Sequence, residues 1–275
     1  MNTFDIRNLR LVNQLGSGAF GDVYRTRNSI TSKEYAIKII DKRKLTPKKL
    51  NSIRNEIMIL MSIKHPHIIK TYYITEDDIK YRIYMDLFSG DLASFHQSKG
   101  QLDERNIYII FHQLVSAVNY LHNVKHIVHG DIKTNNILFN NDEDLNIVLA
   151  DFGLAYLWKE EDILISSVKG TPTYLAPEIR SGLPYKGYPV DVYSLGVVLF
   201  NISFPPNIYP RFDRDVSLPT YLNQLDMFRY DRLIEMKNPF LVDLIKAMIF
   251  PDPRGRITID KVINSPWMVK MKDMV

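Results

Sequence analysis

Residues 129–153 read HGDIKTNNILFNNDEDLNIVLADFG, and the order of polar and apolar residues in this stretch decides the fold. Asp131, Lys133 and Asn136 crowd together, and a second aspartate, Asp151, stands before Phe152 and Gly153. Between the two polar clusters run Ile137, Leu138 and Phe139, then a polar turn, then Ile147, Val148 and Leu149. Two short apolar runs around a polar turn predict a strand hairpin, which returns the second cluster to the end where the first was left. Two carboxylates, a carboxamide and an ammonium group gathered there suit phosphoryl transfer. One carboxylate accepts a hydroxyl proton, the other and the carboxamide hold magnesium, and the ammonium offsets phosphate charge. Asn and Asp clusters are more often plain turns, so the rest of the chain has to supply the remaining parts.

The stretch resembles the catalytic loop and DFG motif of the eukaryotic protein kinases. One residue departs from the pattern: the usual HRD is HGD, with Gly130 in the arginine's place. The resemblance implies that Asp131 is the catalytic base and that Asn136 and Asp151 hold the metals. Lys133, two residues after Asp131, resembles the serine/threonine pattern rather than the tyrosine one.

Upstream, Leu15 to Val23 read LGSGAFGDV, with glycines at 16, 18 and 21. Glycines let a backbone approach phosphate closely and aim amide hydrogens at it. A dinucleotide-binding turn would open a helix, whereas DVYRTRNSITSKEYAIKII (22–40) reads as strand, turn, strand. A strand hairpin over a nucleotide is the kinase arrangement. In YAIKII (35–40), Ala36 and Lys38 share a face by the strand's period of two. By resemblance Lys38 contacts the ATP phosphates, and Leu15, Gly16, Ser17, Gly18, Ala19, Phe20, Gly21, Val23 and Ala36 border the nucleotide. The bland alternative for Lys38 is a solvated surface lysine.

Leu50 to Ile63 place Ile53, Ile57, Leu60 and Met61 at helical spacing, with Glu56 beside the stripe. The resemblance makes Glu56 the partner of Lys38. Two strand-like runs follow, and MDLFSGDL (85–92) resembles the hinge, with Met85 as gatekeeper and the backbone of Asp86 and Phe88 facing adenine. Leu138 would close the base site from below. A helix is expected over Asp103 to His122. His122, His126 and His129 are not read as a metal site, because no partnering carboxylate is expected beside them and the resemblance already accounts for His129. GTPTYLAPE (170–178) resembles the serine/threonine P+1 segment: Thr171 would bridge Asp131 and Lys133, and Glu178 would pair with Arg256. Asp191 is expected to begin a central buried helix, DVYSLGVVLF (191–200).

The 275 residues, 45% hydrophobic and 24% charged, fit an ordinary globular protein with a large core. No cysteine is present, which excludes disulfides and thiol chemistry. The net charge of +4 is too small an excess to predict a nucleic-acid partner. The basic run Lys42 to Lys49 is read as a solvated loop before a helix. With no secretory signal or membrane segment in view, an intracellular protein, cytoplasmic or nuclear, is expected.

The resemblance thus implies an α+β, bilobal protein kinase fold: a single domain over 1–275, with a small β-rich N-lobe (about 1–86) and a larger, mostly helical C-lobe (about 87–275). It implies ATP and Mg2+, with Mn2+ as an alternative, and protein substrates carrying Ser or Thr acceptors; no regulatory partner is named. A pseudokinase would have lost Lys38, Asp131 or Asp151, and a small-molecule kinase would lack GTPTYLAPE. Asp91 hints weakly at a basic residue in the substrate, and Asn135 speaks against it. Gly130 and Tyr156 remove two cationic contacts that would bind a phosphate on Ser166 or Ser167. The activation loop is therefore expected to be held by packing, through Leu157, Trp158, Ile163 and Leu164, without phosphorylation.

Overall fold

The computed structural model describes residues 4–18, 21–140, 145–158, 169–182, 184–206, 216–227 and 238–274. The first part of the chain forms an antiparallel sheet. Strands β1 (Leu9–Gly18), β2 (Gly21–Asn28) and β3 (Glu34–Asp41) come first. Helix α1 (Pro47–Ser62) intervenes before β4 (Thr71–Glu76) and β5 (Lys80–Met85), and the spatial order is β1-β2-β3-β5-β4. The glycine-rich segment is thus the tip of a hairpin in which Gly18 pairs with Gly21.

Helix α1 begins at Pro47, three residues before the expected start. Thr46 accepts the Lys49 amide as N-cap and proline occupies the first turn, where its missing N–H costs nothing. Part of the basic run, Lys48 and Lys49, therefore lies within the helix, and Lys42–Lys44 form a short 3-10 turn. The buried face is Ile53, Glu56, Ile59 and Leu60, while Met61, expected inside, is 74% exposed. The stripe is rotated toward Glu56 because that carboxylate has a partner under the sheet.

After β6 (Gly90–Asp91) the chain becomes helical, with α2 (Leu92–Lys99) capped by Asp91 and α3 (Glu104–Asn119) capped by Asp103. Short strands carry the central motif: β7 (Ile127–Val128), β8 (Ile137–Phe139), β9 (Ile147–Leu149) and β10 (Tyr156–Leu157). The expected hairpin forms, with Ile137 opposite Leu149 and Phe139 opposite Ile147. Helices α4 (Pro177–Arg180) and α5 (Gly187–Ser203) follow. Helix α5 is buried along nearly its whole length and forms the centre of this part. It starts four residues before Asp191, at Gly187, where a Cβ would lie 2.5 Å from a Val128 methyl. Helices α6 (Leu218–Met227) and α7 (Pro239–Met248) and two shorter helices over 259–263 and 266–272 complete the fold. No helix among the described residues is long and apolar enough to cross a membrane.

Candidate active site

Between the sheet and the helical part lies a cavity of about 700 Å³. Its apolar walls include Leu15, Val23, Ala36, Met85 and Leu138, and Lys38, Asp131, Lys133 and Asp151 project at its polar end. Gly16, Ser17 and Gly21 line the roof. Gly21 has φ +130°, and a Cβ there would stand 2.5 Å from the Ile39 carbonyl oxygen, so only glycine fits. Gly18 closes the hairpin opposite it, while Ala19 and Phe20 lie outside the described residues. Leu60, Ile69, Thr71 and Ala150 also line the cavity. No motif singled these out, since a core residue and a cavity wall look alike in sequence.

Lys38 lies opposite Val23 on one side and Ile83 on the other, and its Nζ donates to Glu56 Oε1 at 2.6 Å. The Glu56 side chain is 3% exposed. A carboxylate so buried requires a cation, and helix α1 is thereby tied to β3. At the hinge, Phe88 lines the cavity. The Asp86 amide is already used by the Lys70 carbonyl, at 3.2 Å. Of the Asp86 backbone, expected to face adenine, the carbonyl is the group that remains for a base.

Four donors converge on the Asp131 carboxylate. Lys133 Nζ at 2.7 Å and Asn136 Nδ2 at 3.1 Å reach Oδ2, and the Thr171 amide at 3.1 Å and hydroxyl at 2.9 Å reach Oδ1. Lys133 also donates to Thr171 Oγ1 at 2.9 Å, so Thr171 does bridge the two. The two polar clusters of the central stretch meet where the Ala150 amide donates to the Asn136 carbonyl at 2.8 Å. Asp151 adopts φ +61°, a conformation that costs a non-glycine residue energy and is held by its surroundings.

Asp191 belongs to the site although its sequence position predicted only a helix start. Its carboxylate, 1% exposed, accepts the amides of His129 at 2.8 Å and Gly130 at 2.9 Å, and pairs with His122 Nε2 at 2.9 Å. The expectation that no carboxylate neighbours these histidines is corrected accordingly: 69 residues separate His122 from Asp191 in the chain. Among the described residues no group of three or more potential ligands could cage a metal.

Gly130 itself has φ +75°. Tyr156 packs its hydroxyl into the interior near Gly187, with no hydrogen-bond partner among the described residues. Burial, then the nearby Asp191 charge, pushes that phenol far above its usual range. Leu157, expected to pack the loop, is instead 63% exposed, whereas Trp158 is buried with its ring edge-on to Tyr188. Ile163 and Leu164 lie outside the described residues, as do Ser166 and Ser167. Glu178 and Arg256 form the expected two-pronged pair, Nη1 to Oε1 at 2.5 Å and Nη2 to Oε2 at 2.9 Å.

The oxygen donors suit a hard divalent cation. Both Asn136 Nδ2 bonds go to Asp131, one to its carbonyl at 2.8 Å, which leaves Oδ1 as the coordinating atom. Asp151 is solvent-exposed and, among the described residues, accepts only a long bond, from the Gly153 amide at 3.3 Å. One carboxylate and one amide oxygen match Mg2+, which takes few protein ligands and shares the rest with phosphate and water.

A two-lobed cleft with a glycine hairpin, a buried lysine–glutamate pair and two aspartates across a short hairpin defines a protein kinase domain. The protein kinase domain family matches residues 9–268, and the chain belongs to that family. It is 38% identical over 258 residues to the serine/threonine-protein kinase SIK2 of Gallus gallus, covering 92% of this chain and 31% of that protein. It is 34% identical over 266 residues to the carbon catabolite-derepressing protein kinase of Saccharomyces cerevisiae, covering 95% and 40%. It is 34% identical over 269 residues to the CBL-interacting protein kinase 26 of Oryza sativa, covering 95% and 52%. The chain thus spans about a third to a half of the length of these relatives.

Proposed function

We propose that this chain is one protein kinase domain, with lobes meeting near residue 86, that transfers the γ-phosphate of ATP to serine or threonine of protein substrates. The observation that carries the reading is the Asp131 carboxylate, held by Lys133, Asn136 and Thr171 at the polar end of the cavity. Hydrogen bonds from four donors hold that carboxylate in one orientation, so it can accept a hydroxyl proton. Lys38, fixed by Glu56, faces the phosphates, and Lys133 offsets charge on the group in flight. Asp151 and Asn136 would hold Mg2+, or Mn2+ in its place. When bound, the cation neutralises charge on the β- and γ-oxygens. The base would lie between Ala36 and Leu138, below Val23 and beside Met85, with the backbone of Asp86 and Phe88 as its polar partners.

Two features support serine and threonine acceptors: Lys133, and Thr171 in a segment whose Tyr174 hydroxyl bonds Thr134 at 2.9 Å. A segment held this close to Asp131 would suit a short side chain, whereas a tyrosine ring would carry its hydroxyl too far from the substrate backbone. Ser and Thr peptides should accept radiolabelled phosphate while matched Tyr peptides do not; equal rates on both would refute the assignment. Asp91 already caps α2 through the Ser94 amide at 2.9 Å, so it adds no support for selection of basic substrates.

The same reading extends to control. Gly130 offers no side chain to a loop phosphate, and the buried phenol of Tyr156 stands where a second cation would help. Tyr156 and Leu157 pair with Val128 and Ile127, and Trp158 anchors the strand's end, so this part of the loop is fixed by neutral contacts. Activity should therefore survive phosphatase treatment verified by mass spectrometry, and also the Ser166→Ala, Ser167→Ala double change. A tenfold fall, reversed by rephosphorylation, would refute this independence while leaving the kinase assignment intact. The partners expected are ATP and protein substrates, with no role for nucleic acid, and the setting proposed is intracellular.

A further inference from the structure

The side of the hinge facing away from the cavity carries an aromatic cluster that phosphoryl transfer does not use. In the β4–β5 ladder Thr71 lies opposite Met85 but Tyr73 lies opposite Tyr84, so Tyr72 is the extra residue of a β-bulge. A bulge re-aims one side chain relative to its strand. The Tyr72 hydroxyl donates to Asp86 Oδ1 at 2.6 Å. Its ring is stacked by Phe4, with centroids 4.9 Å apart, and flanked edge-on by Tyr35 at 5.2 Å. The Lys70 ammonium lies 4.4 Å from the ring centre. Phe4 also meets Tyr84, the residue before Met85, at 5.9 Å. Burial, and then the bond to Asp86, raises the Tyr72 phenol well above its usual range, so it stays a donor at any working pH.

The first hinge residue is therefore pinned twice, at its amide by the Lys70 carbonyl and at its carboxylate by Tyr72. We propose that Tyr72, aimed by the bulge and clamped by Phe4, is a positioning residue that fixes the Asp86 carbonyl as an acceptor for a purine's exocyclic amine. The inference rests on the reading of the cavity as a nucleotide site. An acceptor set before binding lowers the ordering cost of taking up the base. It also discriminates: adenine offers a donor at that edge, whereas guanine offers a carbonyl oxygen.

The test is a set of variants of the full chain, Tyr72→Phe, Asp86→Ala, their combination, Asp86→Asn and Phe4→Ala. Binding of ATP and of GTP is measured by calorimetry, together with KM for ATP, KM for peptide and kcat. Tyr72→Phe keeps the ring in its stack and removes only the hydroxyl. It should raise Kd and KM for ATP by about three- to tenfold and narrow the preference for ATP over GTP. With ATP saturating, kcat should stay within about twofold, and KM for peptide should not move. Asp86→Ala should match it, the combined variant should be no worse than either alone, and Asp86→Asn, which keeps an oxygen acceptor, should fall between Asp86→Ala and wild type. Phe4→Ala should move the same quantities in the same direction by less. A Tyr72→Phe protein with unchanged ATP affinity and unchanged ATP-to-GTP ratio, or one losing kcat with KM constant, would overturn the inference alone. A wild-type chain that binds neither nucleotide would overturn the reading of the cavity as well.

Discussion

Asp131 and Asp151 are both carboxylates at the polar end of one cavity, yet their surroundings assign them different work. Asp131 is gripped by four donors, whereas among the described residues Asp151 accepts from one distant amide. Replacing Asp131 with asparagine removes the proton acceptor and turns an amide toward Lys133 or Thr171. Asp131→Asn should bind Mg-ATP within about threefold of wild type and lose about 10²–10⁴ in kcat. Asp151→Asn should lose Mg-ATP affinity as well, because a protein ligand to the cation is lost in both ground and transition states. Calorimetric titration with single-turnover kinetics separates the two, and an Asp131→Asn enzyme as fast as wild type would remove Asp131 from the mechanism.

Among the elements, α4 and the loop after α7 are linked through one buried arginine. Arg256, with its side chain fully buried, sends its five donor bonds to Glu178 twice and to the carbonyls of Phe250, Pro189 and Pro251. Its guanidinium also lies 4.9 Å from the centre of the Tyr193 ring on α5. Arg256→Ala leaves a carboxylate without its cation and takes one donor from each of three carbonyls. The expected cost is about 3–5 kcal/mol, read as a thermal midpoint roughly 5–15 °C lower. Glu178→Gln combined with Arg256→Met should recover part of this, since the stranded charge is gone. An unchanged midpoint for Arg256→Ala would mean that this link carries no stability.

Across the whole molecule, the connection from α1 to β4 joins the sheet to the helical part. His67 Nδ1 bonds the Ile147 carbonyl at 3.2 Å, His65 bonds Ser116 of α3 at 3.3 Å, and the Leu149 amide donates to the His67 carbonyl at 2.9 Å. Burial lowers the pKa of both half-buried histidines below 6.5, with the charge of His67 adding to this at His65 and that of His112 at His67. The Ile147 carbonyl works against this at His67. Since the folded values lie below the unfolded value, the unfolded chain binds more protons on acidification. Stability from the neutral pair is present above about pH 6.5 and declines as pH falls through the lowered values. The thermal midpoint should drop between pH 7.5 and 5.5, and His65→Gln with His67→Asn should flatten that slope. An equally steep slope in the double variant would place the acid sensitivity elsewhere.

Sequence by itself determined what depends on neighbours along the chain. Residues three to twenty apart are constrained by strand period, helix period and turn chemistry. Thus the β8–β9 hairpin, the glycine hairpin, the lysine on β3 and the polar residues around Asp131 were legible. The pairing of Glu56 with Lys38, of Thr171 with Asp131 and of Glu178 with Arg256 was expected only because the resemblance supplied partners. Tertiary structure alone decided the rest. Asp191 looks in sequence like the start of an apolar helix, and only the packing of α5 beneath the catalytic loop turns its carboxylate to the His129 and Gly130 amides. Met61 and Leu157 look like core residues, and helix rotation and a strand edge leave both in solvent. Tyr72 reaches the hinge only because one residue is inserted in β4, and a one-residue slip in a strand exchanges its two faces. Such a slip leaves no mark on composition or periodicity; it is set by what the opposite strand, the hinge and Phe4 accept once the sheet has closed.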